Sequence, residues 1–263
     1  MSGNSAFELV TERGWRRGLG NLLSNEFSRW WRTNMWWVQS LIWGGICGFM
    51  VGSIVVQSPD MPLSEMVMIY SIFGGLFPAI AVVILMQDVL VGEKRSGTAA
   101  WVLSKPVSRE AFILSRFIAH SLGVLVTMVF VPGVVAFLVF RFAAHVPIPP
   151  ERFLAGLGVL YLLLLYYLTL TLMLGALFRS GGAVIGLALA LVFGQQYLVG
   201  LIPLLKYVLP WTIAIALPPE EGAIVPSILT GQPPWSWIPL LAVALQIPIF
   251  VWIAIARFRR EEF

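Results

Sequence analysis

Six apolar runs, each long enough to cross a bilayer as a helix, constrain this chain more than any other feature of it. A spanning helix needs about 20 apolar residues. Such runs occupy roughly 35–57, 66–91, 118–140, 153–178, 182–205 and 238–256. In hydrocarbon every backbone N–H and C=O must be paired within its own segment, which a helix achieves. Only 11% of the 263 residues are charged, against about 25% in a soluble domain. The expected fold class is therefore an all-α polytopic membrane protein. A single six-helix domain over 35–263 would follow a polar, interfacial segment over 1–34. The first run begins at Met35, too late and too long for a cleaved signal sequence, so it reads as a retained span. Cys47, the one cysteine, lies inside that run, which excludes a disulfide or a cysteine metal site within the chain.

The placement of Lys and Arg sets the expected topology. The N-terminal segment carries Arg13, Arg16, Arg17, Arg29 and Arg32. The loop after the second run carries Lys94, Arg95, Lys105, Arg109 and Arg116, the loop after the fourth Arg179, and the tail Arg257, Arg259 and Arg260. The opposite side holds only Arg141, Arg152 and Lys206. Six spans with both termini in the cytoplasm produce this segregation, and they leave no basic residue inside a span. A net charge of +4 spread in this way addresses lipid headgroups, not nucleic acid.

Several features lie at or inside the spans. In 7–34, Trp15, Leu19, Leu23, Phe27, Trp30 and Trp31 recur at helical spacing, with Arg and Glu on the remaining faces. Such a helix lies in the interface plane, either as a partner-contacting element or as a Trp–Arg belt anchoring the first span. Gly44, Gly48 and Gly52 repeat at GxxxG spacing in span one, and Gly182 and Gly186 open span five. Small residues so spaced let two helices approach closely, within one chain or between two copies. Asp88, at the end of span two, has Lys94 and Arg95 as nearby ion-pair partners. Gln195, Gln196 and Tyr197 fall near the middle of span five, where amides serve either as interhelical hydrogen-bond glue or as the lining of a wet path; Gln246 in span six has the same two readings. Between spans five and six, prolines at 210, 218, 219, 226, 233 and 234 break an apolar stretch. It reads as re-entrant or interfacial pieces, with short helices over 211–217 and 223–230.

The stretch Gly92–Phe117 is the main polar interruption. Gly97 followed by Thr98 offers a break and then an N-cap. Residues 99–104 form a short helix with Trp101 and Leu103 exposed. Pro106 disfavours helix at Lys105. Ser108 caps a second helix running into span three, with Glu110 in its first turn. The result is a short, capped, apolar helix between charged clusters, whose exposed side must meet headgroups or a protein groove.

The run Asp88…Gly92-Glu93-Lys94-Arg95-Ser96-Gly97-Thr98…Leu103-Ser104-Lys105-Pro106-Val107-Ser108-Arg109 resembles the E-[KR]-x-x-G-T…L-L-S-x-P-[VI]-S-R pattern of the membrane subunits of type-2, exporter-like ATP-binding-cassette (ABC) transporters. Asn25-Glu26-Phe27…Arg29…Arg32 is similar to that family's K-E-[LF]…R…R opening, with Asn25 in place of Lys. Gly175-Ala176-Leu177-Phe178-Arg179-Ser180 is similar to its S-x-[LF]-x-R-S step, with Gly175 in place of a small polar residue. The resemblance implies a multi-pass permease in the cytoplasmic membrane of a prokaryote, paired with a second copy or a homologue. Two ABC ATPase subunits would carry ATP and Mg. It also implies that 7–34 is an elbow helix bearing Glu26, Arg29 and Arg32. Residues 98–105 would be a coupling helix, with ATPase coupling resting on Glu93, Gly97, Thr98, Trp101, Leu103, Pro106 and Arg109. Spans one, two and five would line the central path.

The chain contains no G-x-x-x-x-G-K-[ST], H-E-x-x-H or G-x-S-x-G, so no nucleotide, zinc-protease or serine-hydrolase motif is present. His120 and His145 fall on opposite sides of the membrane and cannot share a metal. With the resemblance, this implies a non-enzymatic role with no cofactor on this chain: coupling a separate ATPase to substrate export. The alternative is a mechanotransmission subunit that works on an envelope partner without moving a solute. An amide-lined path at Gln195 and Gln196 favours the first, and a solid glycine seam at Gly44, Gly48 and Gly52 favours the second.

Overall fold

The structure, a computed structural model, describes residues 14–216 and 222–261. The start of the predicted interfacial segment and the paired prolines at 218 and 219 lie outside the described residues. All described regular structure is helical. A helix α1 (Leu19–Trp31) precedes the first span, α2 (Met35–Gln57). Span two comprises α3 (Leu63–Ser71), α4 (Phe77–Met86) and the short α5 (Val91–Arg95), and α6 (Thr98–Leu103) follows it. Span three is α7 (Arg109–Val124) continued by α8 (Val131–Leu138). Span four is α9 (Pro150–Leu177) and span five α10 (Gly181–Leu201). The short α11 (Trp211–Ala214) and α12 (Ile224–Thr230) lead to span six, α13 (Ile238–Arg259).

Six helical stacks are long and apolar enough to cross a membrane, and the chain is a multi-pass membrane protein. Spans two and three are longer than the apolar runs indicate, covering Leu63–Arg95 and Arg109–Ala143, because charged turns of helix extend them beyond the hydrocarbon. Both contain π-helical turns, at Ile72–Leu76, Leu125–Phe130 and Val139–Ala143. The first two end just before Pro78 and Pro132. A proline ring inside a helix clashes with the carbonyl four residues back and removes an N–H. An i→i+5 turn at that place absorbs both defects without breaking the span.

α9 is the hub of the bundle. Of its most apolar stretch 78% is buried, against 28% in each of α2, α10 and α13. It packs against α4, α7, α10, α12 and α13. In a lipid solvent a helix that is apolar all round can be buried or exposed with equal ease, so position must come from packing detail. Tyr166 and Tyr167 supply some of that detail, with Tyr166 edge-on to Phe250 of α13. Around Tyr70, Phe140 and Phe153, an aromatic cluster joins spans two, three and four. α12 packs on α3 and α9, and α11 contacts α12 and α9, so both short helices fold back onto the bundle end opposite the termini.

The glycine stripe of span one divides. Gly44 faces Val135 of α8, and a Cβ on Gly48 would lie 2.8 Å from the same valine, so these two positions hold α2 against span three of the same chain. Gly52 and, on α10, Gly186 face open space. A closer approach than at Gly48 is found at Gly123, where a Cβ would lie 2.5 Å from the indole of Trp30. Replacing Gly123 by Leu should therefore lower stability by about 1–3 kcal/mol, the range for overpacking. Gly186→Leu should stay within about 0.5 kcal/mol of the parent. Thermal unfolding of the detergent-solubilised variants checks both.

Candidate docking site at the charged end of the bundle

The end of the bundle that carries the described termini is organised around Arg116. Ser108 caps α7, its hydroxyl accepting from the backbone N–H of Ala111 at 3.0 Å, with Glu110 in the first turn, as the sequence predicts. Helix then runs through Arg116, and Phe112, Arg116 and His120 recur every four residues on one buried face. Arg116 is thus inside the span-three helix and 2% exposed, contrary to its placement in the water-filled loop. Its guanidinium donates to Glu93 Oε2 from Nε at 2.9 Å and from a terminal nitrogen at 2.6 Å. The same terminal nitrogen lies 3.7 Å from Glu26 Oε1. The guanidinium also donates to the Phe112 carbonyl and lies 3.5 Å over that ring.

Glu26 is buried as well. Helical spacing puts the acids of α1 on outer faces, yet Glu26 is 2% exposed and shares the inner face with Trp30. Its Oε2 makes no hydrogen bond among the described residues and is 3.6 Å from Arg29, which also reaches to within 4.0 Å of Glu93. Trp30 seats on Gly123 and lies edge-on to His120, whose Nδ1 is 2.9 Å from the Arg116 carbonyl. At the start of α1, the Ser108 N–H and hydroxyl donate to the carbonyls of Arg17 and Trp15. α1 is thereby fixed to the α6–α7 turn at one end and to α7 at the other.

A second set of contacts ties in the C-terminal tail. Lys94 pairs with Glu261 at 2.7 Å and donates to the Ala176 carbonyl in the last turn of α9. It therefore does not take the Asp88 partnership that sequence proximity suggests. Arg109 donates to the carbonyls of Phe258, Arg259 and Glu261, at and just beyond the end of α13. Arg259 pairs in turn with Glu110, and Phe112 stacks on Phe258 with centroids 5.0 Å apart.

Against this frame α6 presents one free side. Gly97, in the left-handed region at φ 74°, occupies the N-cap position, and Thr98 is the first helical residue. The expected Thr98 cap is absent because its hydroxyl bonds to Ser96 Oγ at 2.8 Å. Ala99 is fully buried, whereas Trp101 is 65% exposed, with Lys105 Nζ 5.0 Å from its ring. Leu103 is half-buried against the chain's own core and does not share the exposed surface expected for it. Pro106, Arg29 and Arg32 are exposed; Glu93 and Arg109 are committed to contacts within the chain. Sequence reasoning missed Arg116, Lys94, Glu110, Arg259 and Glu261 as members of the site. The four-residue repeat Phe112–Arg116–His120 was the available signal for the first.

The residues assigned to a path in span five diverge. Gln195 is buried, donating to Tyr167 Oη at 2.8 Å and to the Val192 carbonyl at 3.1 Å. Its Oε1 has no partner among the described residues, beside a cavity of about 10 Å³, room for about one water. Gln196 and Tyr197 face outward, Tyr197 being 70% exposed. Gln246 donates to the Val208 carbonyl at 2.9 Å. Among the described residues no group of three or more His, Cys, Asp or Glu side chains gathers in metal-binding geometry.

Fold and site together define a six-span helical membrane protein with a clamped, charged face at the end that carries the described termini. The chain belongs to a family described as protein of unknown function, DUF2705, whose pattern matches residues 35–263. No curated protein matches it. Removing Arg116 leaves two carboxylates without their buried partner, at a cost of about 3–5 kcal/mol. Arg116→Met should therefore unfold at markedly lower temperature than the parent. Glu26→Gln and Glu93→Gln added to Arg116→Met should recover most of the loss, as read by thermal unfolding in detergent.

Proposed function

We propose that the chain is the permease subunit of a type-2, exporter-like ABC transporter in a prokaryotic cytoplasmic membrane, with both termini in the cytoplasm. It couples ATP hydrolysis on a separate ATPase to export. The observation that carries the reading is an exposed tryptophan on a short helix whose surroundings are rigidly clamped. Trp101 projects from α6 with 65% of its surface free, while Ala99 beneath it and the flanking Glu93–Arg116 and Arg109–tail contacts hold the helix in place. A large aromatic surrounded by charge at a water-facing surface suits a groove on a soluble partner. α6 is then the coupling helix and α1 the elbow. Through Arg116 a push on α6 reaches α1 and α7, and through Arg109 it reaches α13.

Two ATPase subunits would bind ATP and Mg and dock beneath two permease copies or homologues. Gly52, Gly186 and the outward Gln196 and Tyr197 lie on faces of α2 and α10 that the chain itself leaves open. An amide facing hydrocarbon is costly unless another protein surface or a wet cavity receives it. That cost favours a transport path at a subunit seam over the mechanotransmission reading, which shares the same docking surface.

The test is co-purification of the tagged chain, expressed in its native host, with an ABC ATPase identified by mass spectrometry of the captured proteins. Trp101→Ala should cut ATPase recovery at least ten-fold while leaving the thermal unfolding temperature unchanged. Undiminished recovery and undiminished substrate-stimulated ATP turnover would sink the coupling assignment.

A further inference from the structure

At the bundle end away from the termini, spans three and four enclose an apolar groove of about 160 Å³ that opens on the outer surface of the bundle. One wall is a stripe of Phe130, Val134 and Phe137; the other is Pro150, Leu154 and Leu157. At its floor the two helices meet closely, because Gly133 lets Leu157 pack onto the backbone of span three; a Cβ there would lie 2.6 Å from Leu157. A cavity of about 150 Å³ with such a lining accepts an apolar group as large as benzene. Phe130, Val134 and Leu154 are each exposed, so the groove faces the lipid.

The stripe continues in register. Arg141 lies four residues beyond Phe137, in the π turn that ends span three. Arg141 is exposed, and it makes no ion pair with a described carboxylate. From Phe130 to Arg141 the helix rises about 16 Å at 1.5 Å per residue. One leaflet of the hydrocarbon core is about 15 Å deep. The groove therefore starts near the bilayer centre and leads to a guanidinium at headgroup depth, which is the reach of one acyl chain from its phosphate.

We propose that this groove is a binding site for one phospholipid of the leaflet away from the termini, with an acyl chain between the Phe130–Val134–Phe137 and Pro150–Leu154–Leu157 stripes and the phosphate on Arg141. A guanidinium binds a phosphate through two parallel N–H donors, and the fixed apolar walls replace the mobile neighbours a tail has in bulk lipid. The site is independent of any ATPase partner, since it lies at the other end of spans three and four.

The experiment reconstitutes the full chain in nanodiscs of equal parts phosphatidylglycerol and phosphatidylcholine, transfers it to detergent, and counts retained phospholipid by native mass spectrometry. The parent chain should retain one phospholipid per chain. Leu154→Trp, which fills the groove from one wall, and Val134→Trp, which fills it from the other, should each reduce retention at least five-fold. Arg141→Gln should do the same and Arg141→Lys less. Leu241→Trp, on the exposed face of α13, should retain lipid as the parent does. Equal retention in the parent and in whichever groove variants fold, or an equal loss in Leu241→Trp, would overturn the proposal. So would a change of oligomeric state in the groove variants without lipid loss, since a second copy would then be the occupant.

Discussion

A single buried guanidinium decides how the charged end of this protein is built. Arg116 sits on an apolar helix face, over Phe112, where an isolated charge would cost several kcal/mol. Glu93 answers it at hydrogen-bond distance and Glu26 more remotely, and they arrive from different elements, α5 and α1. Neither acid could be buried without the arginine, and the arginine could not be buried without them. Docking of α1 against α7 is therefore conditional on the ion cluster, and Trp30 on Gly123 gives that docking its shape. Such clusters add little net stability over an apolar packing of equal volume, but breaking one is expensive. What they secure is one arrangement among several that lipid and headgroups would otherwise tolerate.

The consequence is mechanical. Lys94, Arg109 and Arg259 fasten the C-terminal tail to the same loop, so the first, third and last parts of the chain meet within one cluster. α6 is carried on that cluster with Ala99 buried and Trp101 free. In the permease reading, force applied at Trp101 would not be lost in a flexible loop. Deeper in the bundle, α9 connects most of the spans, and the π turns before Pro78 and Pro132 keep spans two and three continuous where proline would otherwise kink them.

The open faces of α2 and α10 raise a different physical question. An apolar helix in lipid has no hydrophobic reason to find a partner, so association depends on close backbone approach and on polar groups that hydrocarbon rejects. Gly44 and Gly48 are used inside the chain, against Val135, whereas Gly52, Gly186, Gln196 and Tyr197 are not. One repeat in the sequence thus divides between a packed part and an open one. The same reasoning separates Gln195, which bonds inward to Tyr167, from its neighbour.

By itself, the sequence determined the number of spans, most of their ends, the Ser108 cap with Glu110 behind it, and the short helix ended before Pro106. These are decided by transfer of apolar side chains into lipid and by backbone bonds a few residues apart, and both can be summed along the chain. Thr98 shows the limit even there: a two-residue choice of hydroxyl partner moved the cap to Gly97. Tertiary structure alone decided that Glu26 and Arg116 are buried, that Lys94 pairs with Glu261 and not Asp88, and that Leu103 turns inward while Trp101 does not. Each of these depends on a group brought from a distant part of the chain. A charge reads as solvated until the particular neighbour that neutralises it is in place, and no local periodicity records where that neighbour will be.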